Sequence, residues 1–452
     1  MSSHGERTQV RQNRKKSRSI GRRTFLAATG TGAAATLAGC LGGDGDGDEP
    51  IRFGAVYLLS GLAEQLGAGS AAAGEVAVQE INDAGGINGR EIEYEARDHG
   101  DDPQSQVQSL VQEFGADILF GMTSSGVTLN TLPTWRQLGK PVYITDIGTP
   151  WITEHDTDTY GDYIDGDGTA GGIDQLFRAN SHSGHIAYAL AEFTNENYSE
   201  GINIATIGPD YAYGHQTWDY FQAFLDGLGF EYNVVAEEFP ELGASDMSAQ
   251  ITNVQAAEPD IVHTSFWASD TVTFTSQAAE QGLFDEVMDV YDTIGADPSN
   301  FESLGDDMPE GFHYSGWYWP GAYGTDADQA FIDLYVDAYE DDDSITNYPT
   351  FTGGSTYTAV HAAAKAIEES GGTDADGIIE ASEGMEVEND PRGPAPFDPD
   401  SHQMQTTCVI GESSHSTDVP YDGAGQTNTQ LYELDRDTAL DLLEGSDLPP
   451  GI

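Results

Sequence analysis

Short apolar runs alternate with amphipathic stretches along most of the chain. The first run, Ile51–Tyr57, predicts a strand, and residues 71–84 predict a helix that ends at Gly85 and Gly86. Strands are also predicted at 92–96, 117–121 and 142–144, and helices at 104–114 and 131–138. Strands that alternate with helices in this way favour an α/β fold with a parallel, doubly wound sheet and helices on both faces.

An acidic, glycine-rich segment at 145–175 interrupts the alternation, which then begins again. Helices are predicted at 185–195, 218–228, 247–255 and 272–281, and strands at 203–207, 232–235, 260–264 and 290–291. A chain of this length can form two domains. We therefore predict two doubly wound lobes with a cleft between them, in which a ligand would lie beyond the carboxyl ends of the strands.

The N-terminal residues predict export and lipid attachment. A basic segment ends at Arg22 and Arg23, an uncharged run covers 25–38, and Leu37-Ala38-Gly39-Cys40 has the lipobox pattern. The run is shorter than the roughly 20 apolar residues that a membrane span needs. We predict a twin-arginine lipoprotein signal over 1–39, a lipid on Cys40, and a flexible acidic Gly/Asp linker over 40–50.

Acidic residues dominate the chain after this signal. Nine basic and 76 acidic residues follow Cys40, which gives a net charge near −67. Such a surface repels nucleic acid and anionic lipid, which excludes both as partners, and it indicates a salt-adapted protein of a halophile. The 21 Tyr, 18 Phe and 6 Trp residues are too many for a disordered acidic tail. Cys408 has no second cysteine once Cys40 carries lipid, so no disulfide is expected.

A signature at 80–89 reads E-I-N-x-A-G-G-I-x-G. Further motifs are Asp101-Asp102-Pro103, Gly121-Met122-Thr123-Ser124-Ser125, Tyr211-Ala212-Tyr213-Gly214, Asp246-Met247-Ser248, Arg392-Gly393-Pro394 and Asp400-Ser401-His402-Gln403. From about residue 51 to about residue 434 the chain resembles the leucine/isoleucine/valine-binding type of periplasmic solute-binding protein of ABC transporters, in a halophilic archaeal lipoprotein version. Acidic insertions near 156–174 and 413–426 interrupt the resemblance.

The resemblance implies the type I periplasmic binding protein fold, in which three hinge crossings join the two lobes. We expect the crossings at 178–181, 312–316 and 402–406. The implied division is 51–180 plus 313–402 for lobe 1, 181–312 plus 403–436 for lobe 2, and a C-terminal tail at 437–452. A cleft that closes on its ligand follows from this arrangement.

The resemblance also implies an extracellular substrate-binding protein and not an enzyme. It would capture a small solute, a branched-chain or other amino acid, and deliver it to an ABC permease and its ATPase in the membrane. We expect a monomer that is lipid-anchored on the outer face of the cell membrane after twin-arginine export, with no cofactor and no metal. The chain contains no G-x-x-x-x-G-K-[ST] motif for binding ATP phosphates.

The carboxylate of such a ligand would be held by the first lobe. The matching positions are Ser124 or Ser125 after the third strand, and Thr149 with the backbone of Ile147 after the fourth. Ser125 is placed to begin a helix, and Thr149 precedes Pro150, a favoured first helical residue. Both hydroxyls could therefore cap helices, bind ligand, or do both.

The body of the ligand would be covered from both lobes. Leu66 matches a position that lines the apolar part of the pocket, and Tyr213 and Trp267 match aromatic positions of the second lobe. Trp317-Tyr318-Trp319 lies near the second crossing and receives no role from the resemblance.

The position that pairs with the ligand's ammonium departs from the family. The amino-acid binders have an acidic residue there, whereas this chain has Thr293 or Ile294. Asp292 and Asp270 are the candidate replacements. A buried ammonium without a carboxylate costs several kcal/mol, so an amide, a urea-like solute or a carboxylate is an alternative ligand.

Two other functions are weaker alternatives. An exported hydrolase could use His182 and His185 as a metal pair or 411–415 as a nucleophile loop, but a third ligand at defined spacing and the G-x-S-x-G pattern are both missing. A lobe pair that senses a ligand for a receptor would use the same fold as a transport protein.

Overall fold

The computed structural model describes residues 49–100, 102–153, 173–342, 344–417, 419–421, 423–446 and 448. The predicted export signal at 1–39, the lipid-attachment residue Cys40 and nearly all of the acidic linker lie outside these residues. Within the described ranges, no helix combines the length and the apolar character that crossing a membrane requires.

Five parallel strands form the sheet of the first lobe. They are β1 (Ile51–Tyr57), β2 (Ile92–Asp98), β3 (Ile118–Gly121), β4 (Val142–Ile144) and β5 (Leu176–Arg178), in the order β2-β1-β3-β4-β5. Strand β1 lies between two neighbours and is almost fully buried, as its continuous apolar run predicts. The prediction of a parallel sheet is confirmed for this lobe.

The second sheet is mixed. The remaining strands are β6 (Ile202–Ile207), β7 (Tyr232–Glu238), β8 (Ile261–Thr264), β9 (Asp289–Asp292), β10 (His313–Gly316), β11 (Glu386–Val387), β12 (Ala395–Pro396), β13 (Cys408–Ser414) and β14 (Gly425–Tyr432). Strands β6 to β10 pair in parallel, and β13 and β14 add an antiparallel edge in the order β14-β13-β10-β9-β8-β6-β7. Strands β11 and β12 form a separate ribbon.

Helices cover both faces of each sheet. They are α1 (Glu64–Asp83), α2 (Pro103–Ser109), α3 (Ser125–Leu138), α4 (Ser183–Asn197), α5 (Ala212–Leu228), α6 (Ser248–Ala256), α7 (Ser269–Gln281), α8 (Pro298–Leu304), α9 (Asp326–Tyr339), α10 (Phe351–Ser370), α11 (Ala375–Ser382) and α12 (Arg436–Leu442). Helix α2 runs into a π-helical turn, Leu110–Phe114, and short 3-10 turns lie at Gly61–Ala63, Pro150–Ile152, Leu283–Asp285 and Gly305–Asp307.

The first sheet is buried between two apolar layers. Phe53 and Phe120 pack with Val360 of α10 on one face, and Trp135 of α3 packs on the other. Small residues in α1 allow the start of α10 to approach, since a Cβ on Gly69 would lie 2.5 Å from Thr350 Cγ2. Helices α1 and α10 are therefore the pair that closes the core of this lobe.

Two boundaries predicted from the sequence differ from the structure. Strand β10, expected at the start of the lobe 1 segment 313–402, pairs with β9 and β13 in the second sheet. The chain therefore leaves the second lobe after Gly316. The expected tail at 437–452 contains α12, and Leu443 and Leu448 are buried in the core of the second lobe. Strand pairing holds β10 in the second lobe, and buried apolar side chains hold the C-terminal segment there.

The first and third crossings run side by side. The backbone N–H of Arg178 donates to His402 O at 2.9 Å, and the N–H of Met404 donates to Arg178 O at 3.0 Å. The Gln403 side chain donates to Asn180 O at 2.9 Å. These hydrogen bonds connect the first and third crossings where the chain passes between the two lobes.

Candidate functional site

A small cavity lies between the two lobes. We call it the interlobe cavity, and its lining residues are Leu66, Ser124, Ser125, Asp146, Gly148, Tyr211, Tyr213, Trp267, Ile294, Trp317 and Phe351. Most of them follow the carboxyl ends of β3, β4, β6, β8, β9 and β10. In open parallel sheets the loops at these ends form the ligand site.

The N-terminus of α3 forms a polar wall of this cavity. Ser125 is the first residue of the helix, and Ser124 before it forms no capping hydrogen bond with its side chain. The Ser125 hydroxyl accepts a hydrogen bond from Thr149 N at 3.2 Å, and Thr149 Oγ1 accepts one from Trp151 N at 3.4 Å. The Ser125 hydroxyl can therefore donate its own proton to a ligand. The dipole of α3 favours a hydrogen-bond acceptor or an anionic group at this end of the helix.

A buried arginine holds the loop after β4. The Arg178 guanidinium donates to the carbonyl oxygens of Ile147 and Thr149, and Asn180 also donates to Ile147 O. Burial lowers the pKa of Arg178 to about 9, so the side chain stays charged at neutral pH. A trans peptide directs its N–H opposite to its C=O. The N–H of Gly148 therefore points away from Arg178, and it donates to no other described residue.

Asp146 brings a carboxyl group into the same wall. Its side chain is buried, and Oδ2 has no hydrogen-bond partner among the described residues. Burial raises the pKa of this carboxyl well above its usual range, the Thr123 hydroxyl partly offsets the shift, and the nearby Asp297 carboxyl adds to it. The interlobe cavity thus contains a carboxyl group that no described cation pairs with and whose Oδ2 is free to contact a ligand.

The two acids proposed from the sequence lie elsewhere. Asp292 is fully buried behind the cavity, accepts a long hydrogen bond from Ile294 N at 3.4 Å, and has its pKa raised by burial. Asp270 lies in the first turn of α7 and accepts a hydrogen bond from Gly243 N at 2.8 Å. Neither residue lines the interlobe cavity.

Aromatic side chains form most of the remaining wall. Tyr211 and Tyr213 have ring centroids 6.0 Å apart, and Trp317 lies edge-on to Phe351 at 5.0 Å. With Trp267 they surround the cavity mainly from the second lobe and from the start of α10. All but Tyr211 are buried to at least 95%. Rings at these distances present their faces or edges to a guest in the cavity.

The lobes meet closely beside the cavity. A Cβ on Gly148 would lie 2.5 Å from Tyr213 Cδ2, which only a glycine permits. The Gly148 carbonyl accepts hydrogen bonds from the N–H and the hydroxyl of Ser183, both at 2.7 Å. The Tyr213 hydroxyl bonds to Thr293 Oγ1 at 3.0 Å. The structure therefore has a closed cleft.

The structure brings together five of the residues proposed from the sequence, namely Leu66, Ser124, Ser125, Tyr213 and Trp267. Ile147, Thr149 and Asp292 are fully or almost fully buried but do not line the cavity. Sequence reasoning assigned no role to Asp146, Gly148, Tyr211, Trp317 and Phe351. For Asp146 and Gly148 the available signal was a position just after a predicted strand, and for Trp317 it was a position just after the predicted second crossing.

The candidate enzyme motifs have structural roles. His182 Nδ1 accepts from Gly184 N at 2.8 Å and caps α4, and burial lowers the pKa of His185 to about 3, so that ring is neutral. The Ser413 hydroxyl donates to Pro309 O at 2.6 Å. Across the described ranges, no group of three or more His, Cys, Asp or Glu side chains could hold a metal ion.

Comparison with known families identifies this arrangement. Residues 50–418 match the periplasmic binding protein family. The chain belongs to the periplasmic binding protein family. Its members are solute-binding proteins and not enzymes, which confirms the expectation from the sequence.

Curated relatives include two binding-protein homologues. Leu/Ile/Val-binding protein homolog 7 of Brucella suis biovar 1 is 27% identical over 258 residues, which are 55% of this chain and 60% of that protein. Leu/Ile/Val-binding protein homolog 8 of Brucella abortus is 25% identical over 241 residues, 51% of this chain and 55% of the other. The matched regions thus span a little over half of each relative.

Solved structures share the two-lobed type I fold of this periplasmic binding protein. An amino acid ABC transporter substrate-binding protein from Pseudomonas fluorescens Pf-5 superposes with a TM-score of 0.73 and 19% identity, covering 86% of this chain and 98% of that one. A solute-binding protein from R. palustris in complex with 4-hydroxybenzoate has a TM-score of 0.72 and 17% identity, covering 86% and 99%.

Proposed function

We propose that this protein is the extracellular substrate-binding protein of an ABC transporter and captures a small amino acid, branched-chain or other, in the interlobe cavity. The observation that carries the proposal is the cavity between the lobes, with a polar wall on one lobe and aromatic walls facing it.

The carboxylate of the solute is assigned to the polar wall. Ser125 and Ser124 at the N-terminus of α3 supply hydroxyl groups, and Gly148 supplies a free N–H. Thr149 and Ile147 act from behind the cavity. The N–H of Thr149 bonds to the Ser125 hydroxyl, and Arg178 holds the carbonyl oxygens of both residues. They fix the position of the groups that touch the solute.

The body of the solute is assigned to the apolar walls. Leu66 and Ile294 offer aliphatic surface, and Tyr213 and Trp267 close over the solute from the second lobe. Because these residues come from both lobes, the solute adds contacts only in the closed state and draws the lobes together.

Calorimetry in molar KCl tests the assignment. The twenty amino acids, small amides and short carboxylates are titrated into the protein, and the best ligand is then titrated into Ser125→Ala, Tyr213→Ala and Trp267→Ala. Each change should weaken binding by about 1 to 3 kcal/mol, as unpaired hydrogen-bonding groups or lost aromatic contacts do. Unchanged affinity in the Ser125 and Trp267 variants would contradict the site.

An aromatic or aliphatic carboxylate is the second candidate ligand. The aromatic walls favour it, and 4-hydroxybenzoate is the ligand in the R. palustris solute-binding protein. Benzoate and 4-hydroxybenzoate therefore belong in the same titrations. Binding of these acids without binding of any amino acid would select this candidate.

We also propose that the protein works on the outer face of the cell membrane as a lipid-anchored monomer and hands its solute to an ABC permease and its ATPase. The support is the predicted twin-arginine signal, Cys40 and the acidic, halophilic composition. Cys40→Ser should move the protein from the membrane fraction to the medium. Stimulation of the permease's ATPase by the loaded protein would separate transport from a sensor role.

A further inference from the structure

Asp146 is the feature of the interlobe cavity that the assignments above leave unexplained. It is 6% exposed, it lines the cavity, and its Oδ2 has no hydrogen-bond partner among the described residues. Burying a carboxylate without a partner costs several kcal/mol, so buried acids are normally paired with cations or held neutral.

Among the residues that the structure describes, the surroundings of Asp146 contain acids and phenols but no cation that pairs with it. The charged and titratable groups that interact with it are Asp297 and the phenols of Tyr57, Tyr211 and Tyr213. Asp297 is occupied, because it accepts hydrogen bonds from the N–H groups of Ser299 and Phe351 at 2.9 and 2.8 Å. No described residue therefore supplies a cation that pairs with Asp146, and the ammonium group of a bound solute can do so.

The aromatic walls suit the same guest. Tyr211, Tyr213, Trp267, Trp317 and Phe351 line the cavity together with Asp146. A cation within about 6 Å of an aromatic ring face is attracted by the ring quadrupole, and more strongly when water is excluded. A carboxylate surrounded by rings is an arrangement that recognises substituted ammonium groups.

We propose that Asp146 binds the cationic nitrogen of the solute and thereby restricts the cleft to small zwitterions that carry an ammonium or a methylated ammonium group. This inference rests on the proposed function and names the charge that its solute must carry. Asp146 belongs to the first lobe, so the two charged ends of the solute are both bound by loops of that lobe, after β3 and β4. The second lobe then contributes the aromatic cover.

Asp292 and Asp270 fit this role less well. Asp270 Oδ2 is occupied by Gly243 N, and the cavity does not reach either side chain. Both residues are nevertheless close enough to the aromatic wall to act as matched controls, since the pKa of the Tyr213 phenol responds to Asp292 and that of Tyr211 responds to Asp270.

Proton release should accompany binding. Burial holds the pKa of Asp146 well above its usual range in the empty cavity, whereas a bound cation stabilises the carboxylate and lowers this pKa. At a pH between the two values, binding releases a proton. Affinity for a cationic solute should therefore be highest above the raised pKa and fall as the pH decreases through it. Calorimetry in two buffers of different ionisation enthalpy measures the protons released.

The decisive experiment compares Asp146→Asn with Asp292→Asn and Asp270→Asn in molar KCl. L-Leucine, glycine betaine and 4-methylpentanoate, which lacks the ammonium group, are the probes. The probe to follow is leucine or betaine, whichever the parent protein binds. Asp146→Asn should weaken its binding by about a hundredfold, as loss of one partner of a buried charge pair does. It should also abolish proton release and leave the affinity for 4-methylpentanoate equal or higher. The two control variants should change affinity less than about tenfold.

Asn has nearly the shape of Asp and removes a buried ionisable group, so the empty Asp146→Asn protein should melt at the same or a higher temperature. Leucine or betaine affinity that survives in Asp146→Asn would overturn the inference. A parent protein that binds 4-methylpentanoate but neither cationic probe would overturn it while leaving the proposed capture of a solute intact. Failure of the parent to bind any probe or any amino acid would count against both.

Discussion

Gly148 lies where the two lobes come closest beside the interlobe cavity. In Gly148→Ala the new Cβ would lie 2.5 Å from Tyr213 Cδ2 and 2.6 Å from Cε2. Since the Tyr213 ring is buried, it cannot move aside without opening the cleft. We expect Gly148→Ala to weaken solute binding by at least about tenfold, consistent with the roughly 1 to 3 kcal/mol cost of overpacking. Calorimetry measures the affinity, and small-angle scattering should show less compaction on adding solute.

Gly372→Ala is the matched control at this scale. Gly372 has an ordinary backbone conformation, and a Cβ there would meet no atom within 4 Å. It should leave affinity and compaction unchanged. Equal binding by the two alanine variants would mean that the contact between Gly148 and Tyr213 does not limit closure.

At the scale of elements, the hinge contains a buried ion pair. Arg392 binds Asp390 at 2.7 Å with both side chains almost fully buried, and its guanidinium also donates to Ala179 O on the first crossing at 2.7 Å. Arg392→Met leaves the Asp390 carboxylate buried without its partner. We expect the free energy of unfolding to fall by about 3 to 5 kcal/mol, the usual cost of breaking a buried pair, as measured by urea denaturation at constant high salt.

Lys365→Met provides the comparison with an exposed pair. Lys365 binds Glu388 at 2.8 Å, but the two side chains are 27% and 63% exposed. Salt screens such a pair, and its loss should cost under about 1 kcal/mol. A cost for Arg392→Met as small as that for Lys365→Met would show that the hinge does not depend on its ion pair.

At the scale of the whole molecule, charge repulsion sets the conditions for folding. The chain after Cys40 has a net charge near −67 and only nine basic residues. The Debye length is about 8 Å at physiological ionic strength and about 3 Å at 1 M, so molar salt screens most of this repulsion. Far-UV circular dichroism should therefore show loss of structure below a few tenths molar salt. A melting temperature in dilute buffer equal to that in molar KCl would contradict this expectation.

Local pattern predicted much of the element order. The apolar run Ile51–Tyr57 became β1 with the expected bounds, and Val142–Ile144 became β4. Several helices begin earlier than predicted, such as α1 at Glu64 and α5 at Ala212. Their first turns contain small or polar residues with weak periodicity. The sequence also gave no reason to place β10 in the second sheet, because partners distant in the chain decide strand pairing.

The sequence by itself determined the fold class, the family with its two lobes, and the identity of several residues that line the cavity. It could do so because alternating helices and strands and local motifs are properties of short segments. Only the tertiary structure decided the composition of the interlobe cavity. Asp292 is the last residue of the buried strand β9, and Asp146 lies two residues after β4, yet Asp146 lines the cavity and Asp292 is buried behind it. Whether a carboxylate contacts a solute depends on how the loops of the two sheets are placed against each other. That placement is set by packing between residues that lie far apart in the chain.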